Sequence, residues 1–474
     1  MGLIVNEDFM VFVMREQKKM PPATREEALS RIDRYVARFE NTEVCRIYFN
    51  PNAQLSYSKS DIWEYALHRY LKTEVDGIPF SAKGSYLDLW YRYEITLGVD
   101  IIGEMMAAAR RHGLFAGLTF RINDVHDSMT PTGELRGSDY THEARRKGLV
   151  RCRHRALCDY YDNALDLSFP EVTARLLAYI REQTDRYAPD GVELDFMREP
   201  YCFRPGFEDE GRGILRRFAE DVKKAVGERS LSLRTFRDPA SDFYSGIDAV
   251  GLARAGLVDL VVPTPRWETS DSHIPVDLWR NVLPSEVRLA AGTDVNIRGE
   301  GEGLRYYTDE ELYGMANAFL TQGADDVYLF NHSYRKIGSA DDDEILRHAG
   351  DLSTLQDCRR KNKVTFQDVA AVGEKPSHPL PLFLSERAHS YLRIPTGRSS
   401  APLYLLLSGE DGEDYEVFVN SAPVTYLGKK GGMLCYKVDA VRPCHQMVEL
   451  RARGGAKTVS LAEISNFDPL KETP

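Results

Sequence analysis

Two carboxylates lie two positions apart in the segment 190–198, which reads DGVELDFMR. Residues 192–196 have the length and apolar content of a strand, and side chains two apart on a strand point to the same side. Glu193 and Asp195 therefore share one face of this strand, opposite three apolar side chains. Buried carboxylates are costly unless they are paired or used in chemistry. The spacing thus predicts a strand whose acidic face serves catalysis.

Seven further runs in the first three quarters of the chain resemble strands. With the acidic segment, the predicted strands are 10–14, 44–49, 115–122, 191–196, 231–236, 257–263, 287–292 and 326–331. Amphipathic helical stretches separate them, at 25–39, 99–112, 171–187, 210–226 and 308–322. An open doubly wound sheet is the alternative, but no glycine-rich dinucleotide loop follows the first strand. We therefore predict an α/β fold, a (β/α)8 TIM barrel.

The sequence changes character after about residue 356. Short alternating runs at 390–394, 403–407, 415–419, 433–438, 447–451 and 458–464 are separated by glycine-rich turns. Such spacing is typical of an all-β sandwich. We predict a barrel over 1–355, a linker over 356–366 and a β-sandwich accessory domain over 367–474.

Polar and charged residues follow seven of the eight predicted strands, where barrel enzymes carry their chemistry. The catalytic candidates are Asp195, Glu268, Asp294 and Glu193. The candidates for substrate binding are Asn52, Arg121, Asp124, His126, Arg198, Arg234, Trp267, Asn296, Asn331 and His332. Polar and charged side chains at these positions suit the binding of hydroxyl groups, such as those of a carbohydrate.

Cleavage of a glycosidic bond uses two carboxyl groups, one to protonate the leaving oxygen and one to attack or to activate water. Asp195 is the candidate nucleophile or base because it lies nearest the strand end. Glu268, or Asp294 in reserve, is the candidate acid. Glu193 lies one layer deeper and is either catalytic or a support that pairs with an arginine such as Arg234.

Aromatic and histidine side chains near the strand ends have two interpretations each. Trp267 is either a platform for sugar stacking or ordinary packing, as are Tyr86, Trp90, Tyr91 and Tyr93. His126 and His332 are hydrogen-bond donors, metal ligands or structural histidines. No spacing typical of a metal site supports ligation, so we expect no metal and no cofactor.

The composition of the chain limits the classes of binding partner. The chain has 474 residues and a net charge of −11, which argues against nucleic acid as a partner. No apolar run reaches the roughly 20 residues of a membrane span, and no signal peptide is visible at the amino terminus. The seven cysteines form no CxxC pair. The sequence does not indicate an oligomeric state or a compartment.

Two segments resemble bacterial glycoside hydrolase-like (β/α)8 proteins. Residues 164–172, ALDLSFPEV, are similar to their N-L-S-x-P-E-V segment, and residues 189–198 are similar to their D-G-(I/V)-x-(L/F)-D-x-x-R. The resemblance covers about 40–335 and implies a catalytic role for Asp195. The Asn-Glu pair that ends the fourth strand of many retaining β-glycosidases is absent. The C-terminal region resembles the β-sandwich accessory domains of such barrels.

These observations predict a glycoside hydrolase acting on an oligo- or polysaccharide. One alternative is a carbohydrate-binding barrel without catalytic activity. Another is a metal-dependent lyase or isomerase that uses Asp124, His126 and His332.

Overall fold

A closed parallel barrel forms the first part of the molecule. The computed structural model describes residues 1–53, 55–71, 74–75, 78–79, 86–124, 164–266, 269–299, 302–336 and 344–471. The barrel strands are β1 (Leu3–Glu7), β2 (Val44–Phe49), β3 (Phe115–Arg121), β4 (Gly191–Asp195), β5 (Ser230–Thr235), β6 (Leu260–Pro263), β7 (Arg288–Asp294) and β8 (Asp326–Phe330). Neighbours along the chain pair in parallel, and β8 pairs with β1 to close the barrel. The predicted barrel is confirmed.

Helices connect most of the barrel strands and pack outside them. The α-helices are α1 (Phe9–Glu16), α2 (Arg25–Ala37), α3 (Tyr86–Tyr91), α4 (Ile101–Arg111), α5 (Pro170–Tyr187), α6 (Glu208–Val226), α7 (Pro239–Tyr244), α8 (Ala249–Arg254), α9 (Val276–Val282), α10 (Asp309–Thr321) and α11 (Leu352–Leu355). The five predicted helices are all present. At the start of α10, Thr308 and Glu311 form the predicted capping box.

The first strand differs from the prediction. Residues 10–14 belong to α1 and not to a strand, and β1 lies earlier, at Leu3–Glu7. The Asp8 side chain caps α1 by accepting a hydrogen bond from the Met10 backbone at 3.0 Å. A short apolar run fits a buried helix as well as a strand, and here the cap decides for the helix.

Two clusters of buried apolar side chains form the core of the barrel region, a small one and a large one. The small cluster consists of Ile4, Tyr48, Leu260, Val262, Ala290, Tyr328 and Phe330. Trp90 and Tyr93, two of the aromatic residues considered for sugar stacking, are buried in the large cluster. The Trp90 ring packs edge-on against Phe9, with 4.9 Å between the ring centroids. Core packing is therefore their role.

Antiparallel sheets follow the barrel and confirm the predicted all-β region. Their strands are β9 (Lys361–Lys363), β10 (Leu382–Leu384), β11 (Ser390–Pro395), β12 (Leu403–Ser408), β13 (Tyr415–Val419), β14 (Ala422–Pro423), β15 (Thr425–Lys430), β16 (Met433–Val438), β17 (His445–Ala452), β18 (Lys457–Val459) and β19 (Ala462–Ser465). One sheet has the order β9-β19-β12-β16-β15 and another β11-β17-β13-β14, while β10 pairs with β18. A separate apolar core lies within this region.

The two regions meet where α10 packs against β9. A Cβ atom on Gly314 of α10 would collide with the Lys361 backbone oxygen of β9, so the close approach requires glycine here. Asn317, one turn later on α10, donates to the Thr396 and Arg398 backbone oxygens at 3.1 and 2.7 Å. Strand β9 lies inside the segment predicted as a linker, and the domain boundaries themselves stay predictions. None of the described helices is long and apolar enough for a membrane crossing.

Candidate active site

A buried ion pair lies at the carboxyl end of the barrel. Asp195 ends β4, and its register partner on β5 is Arg234. The Arg234 Nη1 atom lies 3.1 and 3.0 Å from the two carboxylate oxygens of Asp195. The guanidinium also lies over the Phe330 ring, 3.8 Å from the centroid, and Nε donates to Thr264 at 3.2 Å. These contacts fix Asp195 and Arg234 in one geometry.

Glu193 lies one layer deeper and connects four strands. Its Oε1 atom accepts hydrogen bonds from Asn6 Nδ2 at 3.0 Å, Thr119 Oγ1 at 2.7 Å and the Tyr328 hydroxyl at 2.6 Å. Burial, and then the charge of Asp195, raise the pKa of Glu193 to about 7. The alternative that Glu193 pairs with Arg234 is wrong. The hydrogen-bond donors to Glu193 are neutral, and Arg234 pairs with Asp195 instead.

Asp294 ends β7 and is a second buried carboxyl at this end of the barrel. Burial raises its pKa to about 7, against hydrogen bonding to the Asn296 backbone and the charges of Arg234 and Arg198. The Asn296 backbone and side-chain nitrogens donate to Oδ1 of Asp294 at 3.0 and 3.1 Å. The positive charge of Arg234 therefore favours the ionised forms of both Asp195 and Asp294.

The other predicted arginines pair with carboxylates of the protein. Arg121 lies 3.0 Å from Asp8 and 3.3 Å from Asp124, and Arg198 lies 3.7 Å from Asp124. Two predicted substrate-binding arginines and Asp124 therefore form one buried network above β1 and β3. A carboxylate-bearing sugar would have to compete with these internal partners.

The remaining predicted polar residues are mostly engaged within the framework. Asn52 donates to the Arg121 backbone oxygen at 2.9 Å, which joins the ends of β2 and β3. His332 is buried, with its Nδ1 atom 2.6 Å from the Tyr307 hydroxyl. Asn331 adopts a left-handed backbone conformation with φ of 56° at the end of β8. The roles of these residues in substrate binding stay predictions.

Three predicted site residues lie outside the described residues: His126, Trp267 and Glu268. Among the part of the chain that the structure describes, no three His, Cys, Asp or Glu side chains are grouped to hold a metal ion.

The structure adds three residues that are not among the sequence candidates. Asn6 lies in β1 and Asp8 directly follows β1, in a region that precedes the predicted first strand. The signal was present, since residues 3–5 are apolar and residues 6–8 are Asn, Glu and Asp. Glu199, after β4, pairs with Arg266 at 3.2 Å. These side chains extend the buried polar layer around Asp195.

Comparison with known proteins gives distant similarities to solved structures. No family model and no curated protein matches the chain. An α-L-fucosidase from Paenibacillus thiaminolyticus is 13% identical over 72% of this chain, with a TM-score of 0.43. The match spans about half of that fucosidase, 49% of its length. An α-amylase from Anoxybacillus is 11% identical over 96% of this chain and 98% of its own, with a TM-score of 0.41.

A chitinase from Rhizomucor miehei is also similar. It is 11% identical over 75% of this chain and 100% of its own, with a TM-score of 0.38. All three are glycoside hydrolases by name, and their activities are properties of those proteins.

Proposed function

We propose that the protein is a glycoside hydrolase acting on an oligo- or polysaccharide. The observation that carries this proposal is the pair of buried carboxyls, Asp195 and Asp294, at the ends of β4 and β7, which both interact with the charge of Arg234. Asp195 is held in an ion pair, whereas the pKa of Asp294 is raised to about 7 by burial. Two carboxyl groups in contrasting environments suit the two roles that glycoside cleavage needs.

In this proposal Asp195 attacks the anomeric carbon or activates water. Asp294 retains its proton near neutral pH and donates it to the departing glycosidic oxygen. Glu193 supports Asp195 from below through the strands that it connects. Glu268 remains the other candidate acid.

The test distinguishes the roles of Asp195 and Asp294 by varying the leaving group of the substrate. Hydrolysis would be measured on 4-nitrophenyl and 2,4-dinitrophenyl glycosides of several sugars, and on polysaccharides by release of reducing ends. D195N should lose activity by roughly 10³-fold or more on every substrate that the wild type cleaves. D294N should lose roughly 10²-fold or more on poor leaving groups but far less on dinitrophenyl glycosides, which depart without a proton.

The control is D185N, the same change at an exposed position of α5, which should retain full activity. Full activity in D195N would contradict the proposal. Equal losses of D294N activity on polysaccharides and on dinitrophenyl glycosides would exclude Asp294 as the acid.

A barrel that binds carbohydrate without cleaving it is the second candidate. The specific observation in its favour is that both oxygens of Asp195 already contact Arg234. Buried networks of this kind also serve stability alone. Glycan binding by calorimetry, without turnover on any substrate in the panel, would favour this candidate.

A further inference from the structure

A serine hydroxyl holds the backbone of Asp294. The Oγ atom of Ser270, in the loop after β6, accepts a hydrogen bond from the Asp294 amide at 2.9 Å and donates one to the Asp294 carbonyl oxygen at 2.8 Å. The pairing of β6 with β7 ends earlier, at Val261 and Leu289. The Ser270 hydroxyl therefore takes the place of a strand partner at Asp294. Both side chains are buried, and hydrogen bonds away from water are stronger than exposed ones.

The loop that carries Ser270 is fixed by a residue of the all-β region. The Thr365 hydroxyl lies 3.0 Å from the Thr269 carbonyl oxygen and 2.6 Å from Oδ2 of Asp271, and either oxygen can accept its proton. The Thr365 amide donates to the same Oδ2 atom at 3.2 Å. Asp271 also pairs with Arg237, after β5, at 2.8 Å. Because Thr269 and Asp271 are the chain neighbours of Ser270, Thr365 fixes the loop on both sides of the serine.

Two further contacts join the same loop to the all-β region. The Nδ2 atom of Asn362, in β9, donates to the Ser272 hydroxyl at 2.8 Å. The Nε2 atom of His273 lies 2.5 Å from the Arg393 carbonyl oxygen in β11. The loop 269–273 is thus held by side chains and backbone of two strands outside the barrel.

We propose that Ser270 is a positioning residue of the active site. It fixes the backbone of Asp294 so that the carboxyl keeps the position from which it protonates the glycosidic oxygen, and Thr365 holds the loop of Ser270 in place. The inference rests on the proposed function, with Asp294 as the acid. It also gives the all-β region a part in catalysis, through a path of hydrogen bonds that runs from Thr365 through the loop to Asp294.

Proton donation by Asp294 is sensitive to position. A general acid must come within about 2.6–3.2 Å of the oxygen that it protonates. Misplacement of a reacting group by about 1 Å costs on the order of 10²-fold in rate. Asn296 also donates to the Asp294 carboxyl, but it lies two residues further along the chain and moves with Asp294. Ser270, in contrast, joins the Asp294 backbone to another loop.

The first experiment measures S270A on phenyl and 2,4-dinitrophenyl glycosides of the same sugar. Without the hydroxyl, the Asp294 backbone loses two hydrogen bonds. We expect kcat to fall about tenfold or more on phenyl glycosides and much less on dinitrophenyl glycosides, which depart without a proton. A purely structural defect would lower both activities equally. The control is S245A, which removes a buried serine hydroxyl directly after α7 and should match the wild type on both substrates.

The second experiment tests the link to the all-β region with a matched pair of variants at Thr365. T365V removes the hydroxyl and keeps the shape of the side chain, whereas T365S keeps the hydroxyl. T365V should show the same selective loss on phenyl glycosides, by about threefold or more, because the loop of Ser270 is held less firmly. T365S should restore the wild-type ratio of the two activities. A wild-type ratio in T365V would overturn the part assigned to the all-β region.

A third measurement does not depend on activity. Exchange of the Asp294 amide hydrogen, followed by NMR of protein labelled with ¹⁵N at aspartate and assigned with D294N, reports on the bond to Ser270. The exchange rate should rise about fivefold or more in S270A and T365V, and not in T365S or S245A. Faster exchange without hydrolysis of any glycoside would support the positioning contacts and refute the proposed function alone. Unchanged exchange in S270A, or equal losses on both glycosides in an active enzyme, would overturn the inference and leave the proposed function standing.

Discussion

The Asp195–Arg234 pair makes a strong prediction about stability. Both side chains are 1% exposed, and the closest nitrogen–oxygen distance is 3.0 Å. Arg234→Met keeps most of the volume but leaves a buried carboxylate without its partner, which typically costs about 3–5 kcal/mol. If the predicted barrel domain of about 350 residues unfolds as one unit, this corresponds to a melting temperature lower by roughly 4–7 °C. Urea denaturation and scanning calorimetry would measure both quantities.

A double-mutant cycle and a pH series test the reasoning further. D195N/R234M should be more stable than the sum of the single changes predicts, by about 1–3 kcal/mol, because the double variant leaves no unpaired charge. Arg234 also opposes the effect of burial on the pKa of Glu193. Without Arg234 this pKa rises further, so the deficit of R234M should be larger at pH 8 than at pH 5.

The matched control is R111M, which removes an exposed arginine 2.8 Å from Asp33. Its cost should stay below about 1 kcal/mol because solvent screens the pair. Equal costs for R111M and R234M, or additive effects in the cycle, would refute the argument that burial makes the pair strong.

Two further predictions concern Glu193 and Gly314. The folded-state pKa of Glu193, about 7, lies above the ordinary value of 4.5, so its ionisation costs stability as pH rises between these values. E193Q should remove this loss, so the free energy of unfolding of E193Q relative to the wild type should rise by up to about 3 kcal/mol between pH 5 and pH 8. Urea denaturation at each pH measures this difference, and a difference that does not change with pH would count against the assignment. G314A should destabilise by about 1–3 kcal/mol, because its Cβ would collide with the Lys361 backbone. The control is G213A in the interior of α6, where a Cβ atom would have only the Arg217 side chain nearby, at 3.6 Å; this change should be neutral or stabilising. Equal melting temperatures of G314A and G213A in calorimetry would contradict the packing argument.

Local patterns in the sequence indicated most of the barrel. Seven predicted strands and all five predicted helices are present, because their signals, such as Thr308 before Glu311, act over a few residues. The first strand was placed wrongly because residues 9–14 are apolar throughout, and such a run has no period that separates strand from helix. The error also concealed Asn6 and Asp8 as site residues.

The side-chain contacts between barrel strands could not be predicted from the sequence. The sequence placed Glu193 and Asp195 on one face, but which of them meets Arg234 depends on the register between β4 and β5. Tyr328 is 135 positions from Glu193, and nothing local indicates that its hydroxyl binds this carboxyl.

The closure of the barrel through β1 and β8 has a consequence for synthesis. Leu3 pairs with Val327, so the first strand made is joined to the last barrel strand. At ribosomal rates of about 5–20 residues per second, roughly 16–65 seconds separate the two events. During this interval one edge of β1, with its apolar residues 3–5, has no strand beside it. Nascent chains stalled before residue 326 should therefore be the form of this protein that chaperones bind and that aggregates most readily.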